Sequence, residues 1–284
     1  MLIHLILVPY DSGRRDVRMG AGPASLAPGL TASLIEAGCE VEQTLVEVPA
    51  VGWHAEVAAA FALANGVAHK VDAARARGAF PIVLSGNCFA TVGVAAGLGK
   101  RRGVVWFDAH ADFHTPETST SGFLDGMALR TLTGEGWEAL RDKVSGFVPV
   151  PERATWLVGA RDLDPAEVEA LERSRVHRVA AAAVGDDLGD SIRRAADEID
   201  QFAVHLDLDV IDVSEGRANP YAVAGGVSGA DLAAACRSLG RTLAVGALTV
   251  SAYDPACDAD RRIRAIADAS VTAVVEALAA RSAA

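Results

Sequence analysis

This 284-residue chain contains few cysteines and fewer basic than acidic residues. Its four cysteines, Cys39, Cys88, Cys236 and Cys257, form no Cys-x-x-Cys pair and show no spacing typical of disulfides. We therefore expect a reducing, cytoplasmic setting. Basic residues number 26 against 37 acidic ones, for a net charge of −11. This balance argues against nucleic acid or an anionic membrane surface as a partner.

The sequence also has no recognisable linker and no targeting pattern. The apolar opening Met1–Val8 has no basic leader and runs directly into Pro9–Gly13. This pattern predicts a buried first strand rather than a signal peptide or a membrane span. Hydrophobic side chains make up 51% of the chain, enough for a large core. We expect residues 1–284 to form one α/β domain.

Apolar strand-like runs alternate with helical stretches along the chain. The predicted strands are Leu2–Val8, Glu42–Val48, Phe80–Leu84, Gly103–Phe107, Thr155–Val158, Val176–Val179, Ala203–Leu208 and Gly246–Val250. Ala-rich segments with helical periodicity lie between or after them, at Trp53–Arg77, Asp187–Phe202, Gly229–Gly240 and Asp258–Ala280. This alternation predicts a mainly parallel sheet covered on both faces.

Two of the predicted strands lead into closely spaced acids. Asp108, His110 and Asp112 occupy every second position after an apolar run, so in an extended segment they can converge on one point. The alternating run His205–Asp212 presents acids in the same way. One such stretch can equally be a solvated loop, but two of them would bury like charges that a cation or proton must compensate. The pair indicates a site for a hard or borderline ion such as Mn²⁺, and carboxylates able to bridge favour two ions.

Polar groups follow three further predicted strands, at Ser85–Cys88, Arg161–Asp164 and Ser251–Pro255. In open α/β sheets, ligand sites form just beyond the carboxyl ends of the strands. Together with the two acid clusters, these segments bring polar groups from several strands to one edge. That arrangement is typical of an active site rather than of a solvated face.

On these motifs the chain resembles the arginase/agmatinase (ureohydrolase) family. The resemblance is carried by Asp108–Asp112 (DAHAD), Thr120–Gly126, Gly159–Pro165 and His205–Asp212 (HLDLDVID). It implies a three-layer α/β/α fold around an eight-stranded parallel sheet. It also implies a centre of two Mn²⁺ ions that hydrolyses a guanidino-type group to urea or a substituted urea plus an amine. Members commonly form trimers or hexamers, so a homo-oligomer is expected, although no segment here identifies an interface.

By position, the resemblance also implies roles for four aspartates and one histidine. Asp108 and Asp207 match the bridging carboxylates. His110 and Asp209 would complete the coordination of one ion, and Asp112 would bind the other. Asp209 would also hold the attacking hydroxide by a hydrogen bond.

The remaining ligand of the family is a histidine in a Gly-Gly-Asp-His-type turn, which here reads Ser85-Gly86-Asn87-Cys88. Cys88 therefore takes the place of the histidine. A thiolate is a softer ligand, so it should weaken Mn²⁺ and raise the relative affinity for Zn²⁺ or Fe²⁺. In the alternative interpretation, Cys88 is a neutral packed thiol and this metal position is weak or empty.

The proton-transfer groups depart from the family pattern as well. Asp125 matches the acid–base histidine, and an aspartate can move protons near neutral pH only if burial or neighbouring acids raise its pKa. His114 stands where arginases have an asparagine for the substrate's α-carboxylate. It is interpreted as a replacement proton carrier, as a partner for the carboxylate, or as a surface histidine.

The substrate-binding groups are partly kept. Ala252 aligns with the glutamate that pairs with the guanidinium in the family, and a guanidinium buried without a counter-charge is costly. Either Asp254 serves instead or the substrate is less basic than arginine. Ser119 and Ser121 match the hydroxyls that arginases use for the amino-acid end, and Asp164 matches the acid that meets the α-amino group.

Three functions compete on this evidence. The first is a metal-dependent amidinohydrolase acting on an amino-acid-like guanidino compound, and a variant of it hydrolyses N-hydroxy-L-arginine and releases hydroxyurea, because N-hydroxylation lowers basicity. The second is a catalytically silent family member that binds a ligand, favoured by the changes at Cys88, Asp125 and Ala252. The third, a Zn²⁺ deacetylase of the related histone-deacetylase fold, expects a tandem His pair, and no His-His occurs in the sequence.

Overall fold

The computed structural model describes residues 1–48, 55–196 and 198–283 of the chain. In these residues, one sheet of eight strands forms the centre of the molecule. Its strands are β1 (Leu2–Val8), β4 (Glu40–Leu45), β5 (Phe80–Ser85), β6 (Arg102–Phe107), β7 (Thr155–Val158), β8 (His177–Val179), β9 (Gln201–Asp207) and β10 (Val245–Ser251). Between β1 and β4, the short strands β2 (Tyr10–Asp11) and β3 (Arg14–Arg15) form a separate antiparallel pair.

The central strands run in the order β4-β1-β5-β10-β9-β6-β7-β8. Every neighbouring pair in this sheet is parallel. All the carboxyl ends therefore lie at one edge. The strands β5, β10, β9 and β6, which carry most of the predicted site segments, are adjacent in the middle of it.

Helices cover both faces of the sheet. They are α1 (Gly22–Glu36), α2 (Glu56–Ala76), α3 (Ala90–Leu98), α4 (Ala128–Thr133), α5 (Glu138–Arg141), α6 (Pro165–Arg173), α7 (Leu188–Ala195), α8 (Gly229–Thr242) and α9 (Arg262–Ala283). Buried side chains of α1, α7, α8 and α9 share one hydrophobic core, and those of α2, α3, α4 and α6 share a second. The layers are therefore helix, sheet and helix.

Alternation along the strands explains the two cores. In β1, Ile3 and Leu5 belong to one core, whereas Ile6 and Val8 belong to the other. Successive side chains of a strand point to opposite faces, and a strand covered on both sides has to be apolar throughout. The continuous apolar runs of the sequence have this cause.

The predicted fold class is confirmed: an eight-stranded parallel sheet with helices on both sides. The helix predicted over Asp187–Phe202 is wrong at its end. The observed helix α7 stops at Ala195, and the last two residues of the predicted range, Gln201 and Phe202, belong to strand β9. The pairing of Gln201 with Arg102 of β6 overrides the local composition. The predicted start of a helix at Trp53 lies outside the described residues, and the described part of α2 begins at Glu56.

Over the described ranges, none of the helices has the combination of length and hydropathy that crossing a membrane requires.

Candidate metal centre

A cavity of about 310 Å³ opens at the carboxyl ends of the central strands. Most residues predicted for the site line it, namely Cys88, His110, Asp112, His114, Ser119, Ser121, Asp125, Asp164, Asp207 and Asp209. Asp108 is fully buried beneath this wall. Among the described residues, the predicted Asp254 does not line the cavity. Its carboxylate instead accepts a hydrogen bond from the backbone N–H of Ala256 at 2.9 Å.

Two groups of potential metal ligands share Asp108, and within each group the ligand atoms lie within 4.8 Å of one another. The first consists of Asp108, His110 and Asp209. The Nδ1 atom of His110 is 3.2 Å from Asp108 Oδ1 and 3.4 Å from Asp209 Oδ2. Burial lowers the pKa of His110, but its hydrogen bonds to the two carboxylates outweigh burial and raise the pKa to about 12.

The backbone shapes the carboxylates of this first group. The backbone N–H of Ala109 donates to Asp209 Oδ1 at 3.1 Å, and that of His110 donates to Asp108 Oδ1 at 2.7 Å. Burial raises the pKa of Asp209, yet the hydrogen bond and charge of His110 prevail and hold it at about 2. Asp209 is therefore an ionised carboxylate in a buried place.

The second group consists of Cys88, Asp108, His205 and Asp207, all of them buried. The thiol of Cys88 donates to Asp207 Oδ2 at 2.9 Å and lies 3.2 Å from Ser251 Oγ. Burial raises the pKa of Cys88 well above its ordinary value, and the charge of Asp207 adds to this effect. Burial likewise raises the pKa of Asp207, with the charges of Asp209 and Asp108 as further causes.

His205 belongs to this group although no role was predicted for it. Its ring stacks on Trp106 with centroids 3.7 Å apart, and its Nδ1 lies 2.7 Å from Thr91 Oγ1. Burial lowers the pKa of His205 to about 3, so the imidazole is neutral. The signal was present in the sequence, because His205 continues the alternation of Asp207 and Asp209 by one more step.

Asp112 stands apart from both groups but reaches the same cavity. Its backbone has a φ of 51°, an uncommon conformation for a residue other than glycine. The predicted extended segment over Asp108–Asp112 is therefore wrong, because β6 ends at Phe107 and the chain turns after it. Its Oδ2 atom is buried and has no hydrogen-bond partner among the described residues. Burial raises the pKa of Asp112 well above its ordinary value, and the charges of Asp108 and Asp125 raise it further.

Asp125 lies on the wall of the cavity in a short 3₁₀ turn, Asp125–Met127. The side-chain amide of Asn87 donates to its Oδ2 at 2.5 Å, and the backbone N–H of Phe89 donates to its Oδ1 at 3.0 Å. Burial raises the pKa of Asp125 to about 7 against these hydrogen bonds. A carboxyl group with such a pKa is able to give and accept protons near neutral pH.

His114 is held by acids on another part of the wall. Its Nε2 lies 3.0 Å from Asp164 Oδ2 and 3.8 Å from Glu167 Oε2, and its Nδ1 lies 3.2 Å from Thr118 Oγ1. Glu167 was not predicted from the sequence. Its carboxylate accepts hydrogen bonds from the backbone N–H groups of Phe113 and Asp164, so it connects the residue before His114 to the segment that carries Asp164.

Two serines line the cavity in the same loop. Ser119 Oγ accepts from the backbone N–H of Gly122, and Ser121 Oγ accepts from that of Phe123, each at 3.1 Å. A hydroxyl that accepts in this way still has its own hydrogen to donate. Both hydroxyls are therefore suited to a carboxylate or another acceptor in the cavity.

The carboxylates of the cavity floor fit a bound cation. Asp108, Asp112 and Asp207 all have a pKa raised first by burial and then by neighbouring acids. Buried like charges of this kind need compensation, and the unpartnered Oδ2 of Asp112 leaves a ligand atom free for it. An oxygen-rich donor set with one or two imidazoles suits a hard or borderline divalent ion.

Known proteins resemble the chain in both sequence and structure. The sequence profile of the Arginase family matches residues 2–279. Arginase from Bacillus caldovelox is 34% identical over 172 residues, covering 57% of each protein. Arginase from Staphylococcus aureus (strain COL) is 30% identical over 247 residues, covering 80% of this chain and 81% of that protein. The crystal structure of arginase from Bacillus cereus matches with a TM-score of 0.87 and 25% identity, covering 96% of this chain and 98% of that one.

The parallel sheet flanked by helices, with acids gathered at its carboxyl edge, defines an arginase-like α/β protein. The chain belongs to the arginase family, whose members are hydrolases acting on C–N bonds in linear amidines. The family resemblance recognised in the DAHAD and HLDLDVID motifs is therefore confirmed.

Proposed function

We propose that the protein is a metal-dependent amidinohydrolase that cleaves a guanidino-type group of an amino-acid-like substrate into urea, or a substituted urea, and an amine. The observation that carries this proposal is the set of buried acids at the cavity floor, with the Oδ2 atom of Asp112 left unpartnered among the described residues. Membership of the arginase family supports the reaction class.

The residues that would hold two Mn²⁺ ions are Asp108, His110, Asp112, Asp207 and Asp209, together with Cys88. Asp108 belongs to both ligand groups, so it would be able to contribute a ligand to each ion. When bound, the ions supply Lewis-acid polarisation and make water acidic enough to act as a nucleophile near neutral pH.

The chain's own groups would orient the reactants and move the protons. Asp209 is fixed by the N–H of Ala109, so it would be able to hold an attacking water by a hydrogen bond. Asp125 lies on the cavity wall and is fixed by Asn87 and Phe89, so it can pass a proton to the leaving amine.

His114, with Ser119, Ser121 and Asp164, would bind the amino-acid end of the substrate. Both ring nitrogens of His114 already lie within 3.2 Å of a partner, Asp164 on one side and Thr118 on the other. Because both ring nitrogens have a partner, His114 would act on the amino-acid end of the substrate through Asp164, which it holds in place, rather than as a proton carrier. Asp164 is exposed enough to meet an α-amino group as well.

A second candidate substrate, N-hydroxy-L-arginine, is favoured by the wall at Ala252. Ala252 lines the cavity where the family resemblance places a glutamate, and Asp254 does not lie on the described wall. A strongly basic guanidinium would thus lack its expected counter-charge there, which is costly in a buried place. A less basic N-hydroxyguanidine, which would release hydroxyurea, avoids this cost.

The proposal is tested by incubating the purified protein with Mn²⁺ and arginine, agmatine or N-hydroxy-L-arginine, and by assaying urea and hydroxyurea. We expect product from at least one guanidino compound, and we expect Ala252→Glu to shift the ratio of kcat/KM values toward arginine. No product from any of them would contradict the proposal. Metal analysis then separates a silent binding protein, which would hold under half an equivalent of metal even after Mn²⁺ loading, from an enzyme with another substrate.

A further inference from the structure

Asn219 has a fully buried side-chain amide that lines the cavity and forms hydrogen bonds with three other residues of its lining. Its Nδ2 donates to Asp209 Oδ2 at 3.2 Å and to the backbone carbonyl of Ala252 at 2.8 Å. Its Oδ1 accepts from the backbone N–H of Tyr221 at 2.8 Å. Both amide hydrogens and the amide oxygen are therefore in use.

The partners of Asn219 allow its amide to point only one way. A carboxylate and a carbonyl can only accept, and a backbone N–H can only donate. A flipped amide would place its oxygen against Asp209 and Ala252 and its NH₂ group against the N–H of Tyr221. The side chain is consequently locked between the three groups.

Each of these three groups belongs to a different part of the site. Asp209 is a potential metal ligand of the first group. Ala252 has a φ of 59°, a conformation that a residue other than glycine keeps only when its surroundings hold it. Tyr221 packs its ring against Phe123 at 5.8 Å, and both rings line the cavity. Asn219 thus ties the cavity walls to the acids at its floor.

We propose that Asn219 is a positioning residue of the metal centre, which orients Asp209 for cation binding and fixes the walls formed by Ala252 and Tyr221 relative to it. The inference rests on the metal-dependent function proposed above and adds to it a residue that supports a ligand without being one. Hydrogen-bonding partners of metal ligands typically change metal affinity or activity 10- to 100-fold when they are removed.

The test measures Mn²⁺ binding directly, so that it needs no substrate. Mn²⁺ affinity is determined by calorimetry on metal-free wild type, Asn219→Ala and Asn219→Ser, and thermal unfolding is followed with and without Mn²⁺. We expect Asn219→Ala to bind Mn²⁺ roughly 10- to 100-fold more weakly and to gain less in Tm from the metal. Asn219→Ser keeps one hydroxyl donor, so its loss of Mn²⁺ affinity should be smaller. This variant keeps the test informative if Asn219→Ala fails to fold.

Asn65→Ala is the matched control, because Asn65 also accepts a hydrogen bond from a backbone N–H, that of Ser145, but does not line the cavity. It should bind Mn²⁺ like wild type. If a folded Asn219 variant loses Tm equally with and without Mn²⁺ and keeps wild-type affinity, Asn219 only packs and the inference is overturned, while the proposed function stands. If wild type itself binds no Mn²⁺, the proposed function fails and the inference fails with it.

Discussion

Cys88 is the residue at which the site departs most from the ligand set that the family resemblance implies. Its thiol lies among acids, donating to Asp207 at 2.9 Å, and burial raises its pKa well above the ordinary value. A bound cation would compete with that proton. The geometry therefore places the sulfur close enough to the ligand atoms for either interpretation, a thiolate ligand or a protonated neighbour of the metal.

Replacing Cys88 by histidine separates these interpretations. If the sulfur is a ligand, Cys88→His should tighten the second Mn²⁺ site, because an imidazole suits Mn²⁺ better than a soft thiolate does. Calorimetric titration with Mn²⁺ gives both stoichiometry and affinity. Cys257→His, the same change at a half-buried cysteine that does not line the cavity, should leave both values as in wild type. Unchanged binding in Cys88→His would place Cys88 outside the coordination sphere.

Residues of the site differ in how far the sequence could reveal them. Asp108, His110 and Asp112 could be recognised as site candidates from their two-residue spacing after an apolar run, although they do not lie on a strand, because β6 ends at Phe107. Asn219 could not, since nothing in the local sequence marks an amide whose partners come from Asp209, Tyr221 and Ala252. Such a role arises only from tertiary packing. The same is true of Glu167, which accepts hydrogen bonds from Phe113 in one segment and from Asp164 in another.

At the scale of elements, strands were easier to predict than helices. Strands buried on both faces are continuous apolar runs, and β1 and β7 match their predicted bounds. The helix α3 escaped prediction because every one of its residues is buried, so it has no polar face and no periodicity. The helix α1 contains Pro28 and begins at Gly22-Pro23, which locally resemble a loop.

The close packing of α3 against α2 gives a prediction about stability. A Cβ atom added at Gly93 would lie 2.1 Å from the backbone oxygen of Ala64, so the two helices would have to move apart. We expect Gly93→Ala to lower the free energy of unfolding by about 1–3 kcal/mol or more, although alanine is the better helix former. Chemical denaturation measures this change.

The matched control is Gly185→Ala, because a Cβ atom there would meet nothing within 4 Å. Its free energy of unfolding should stay within about 0.5 kcal/mol of wild type. Equal effects at the two glycines would contradict the packing of α2 on α3 described above.

At the scale of the whole molecule, the acids at the carboxyl edge are buried in a chain whose net charge is −11. Asp108, Asp112, Asp207 and Asp209 are all less than a tenth exposed. Folding without a cation therefore brings like charges, or the protons that neutralise them, into a buried place at a cost. Stability of the whole fold should consequently depend on the metal.

We expect Mn²⁺ to raise Tm and a chelator to lower it, because a ligand that binds only the folded chain stabilises it by roughly 2.7 kcal/mol at 100 times its Kd. Asp112→Asn should raise the stability of the metal-free protein but reduce the gain in Tm that Mn²⁺ gives. Without metal it should be more stable than wild type, since the cost of burying this carboxyl, either charged or with the proton that neutralises it, is gone. With Mn²⁺ it should gain less in Tm, since a ligand atom is gone as well. Thermal unfolding of both proteins with chelator and with Mn²⁺ measures these four values. A variant that is less stable than metal-free wild type and gains as much from Mn²⁺ would show that Asp112 supports the fold by packing and does not bind the cation.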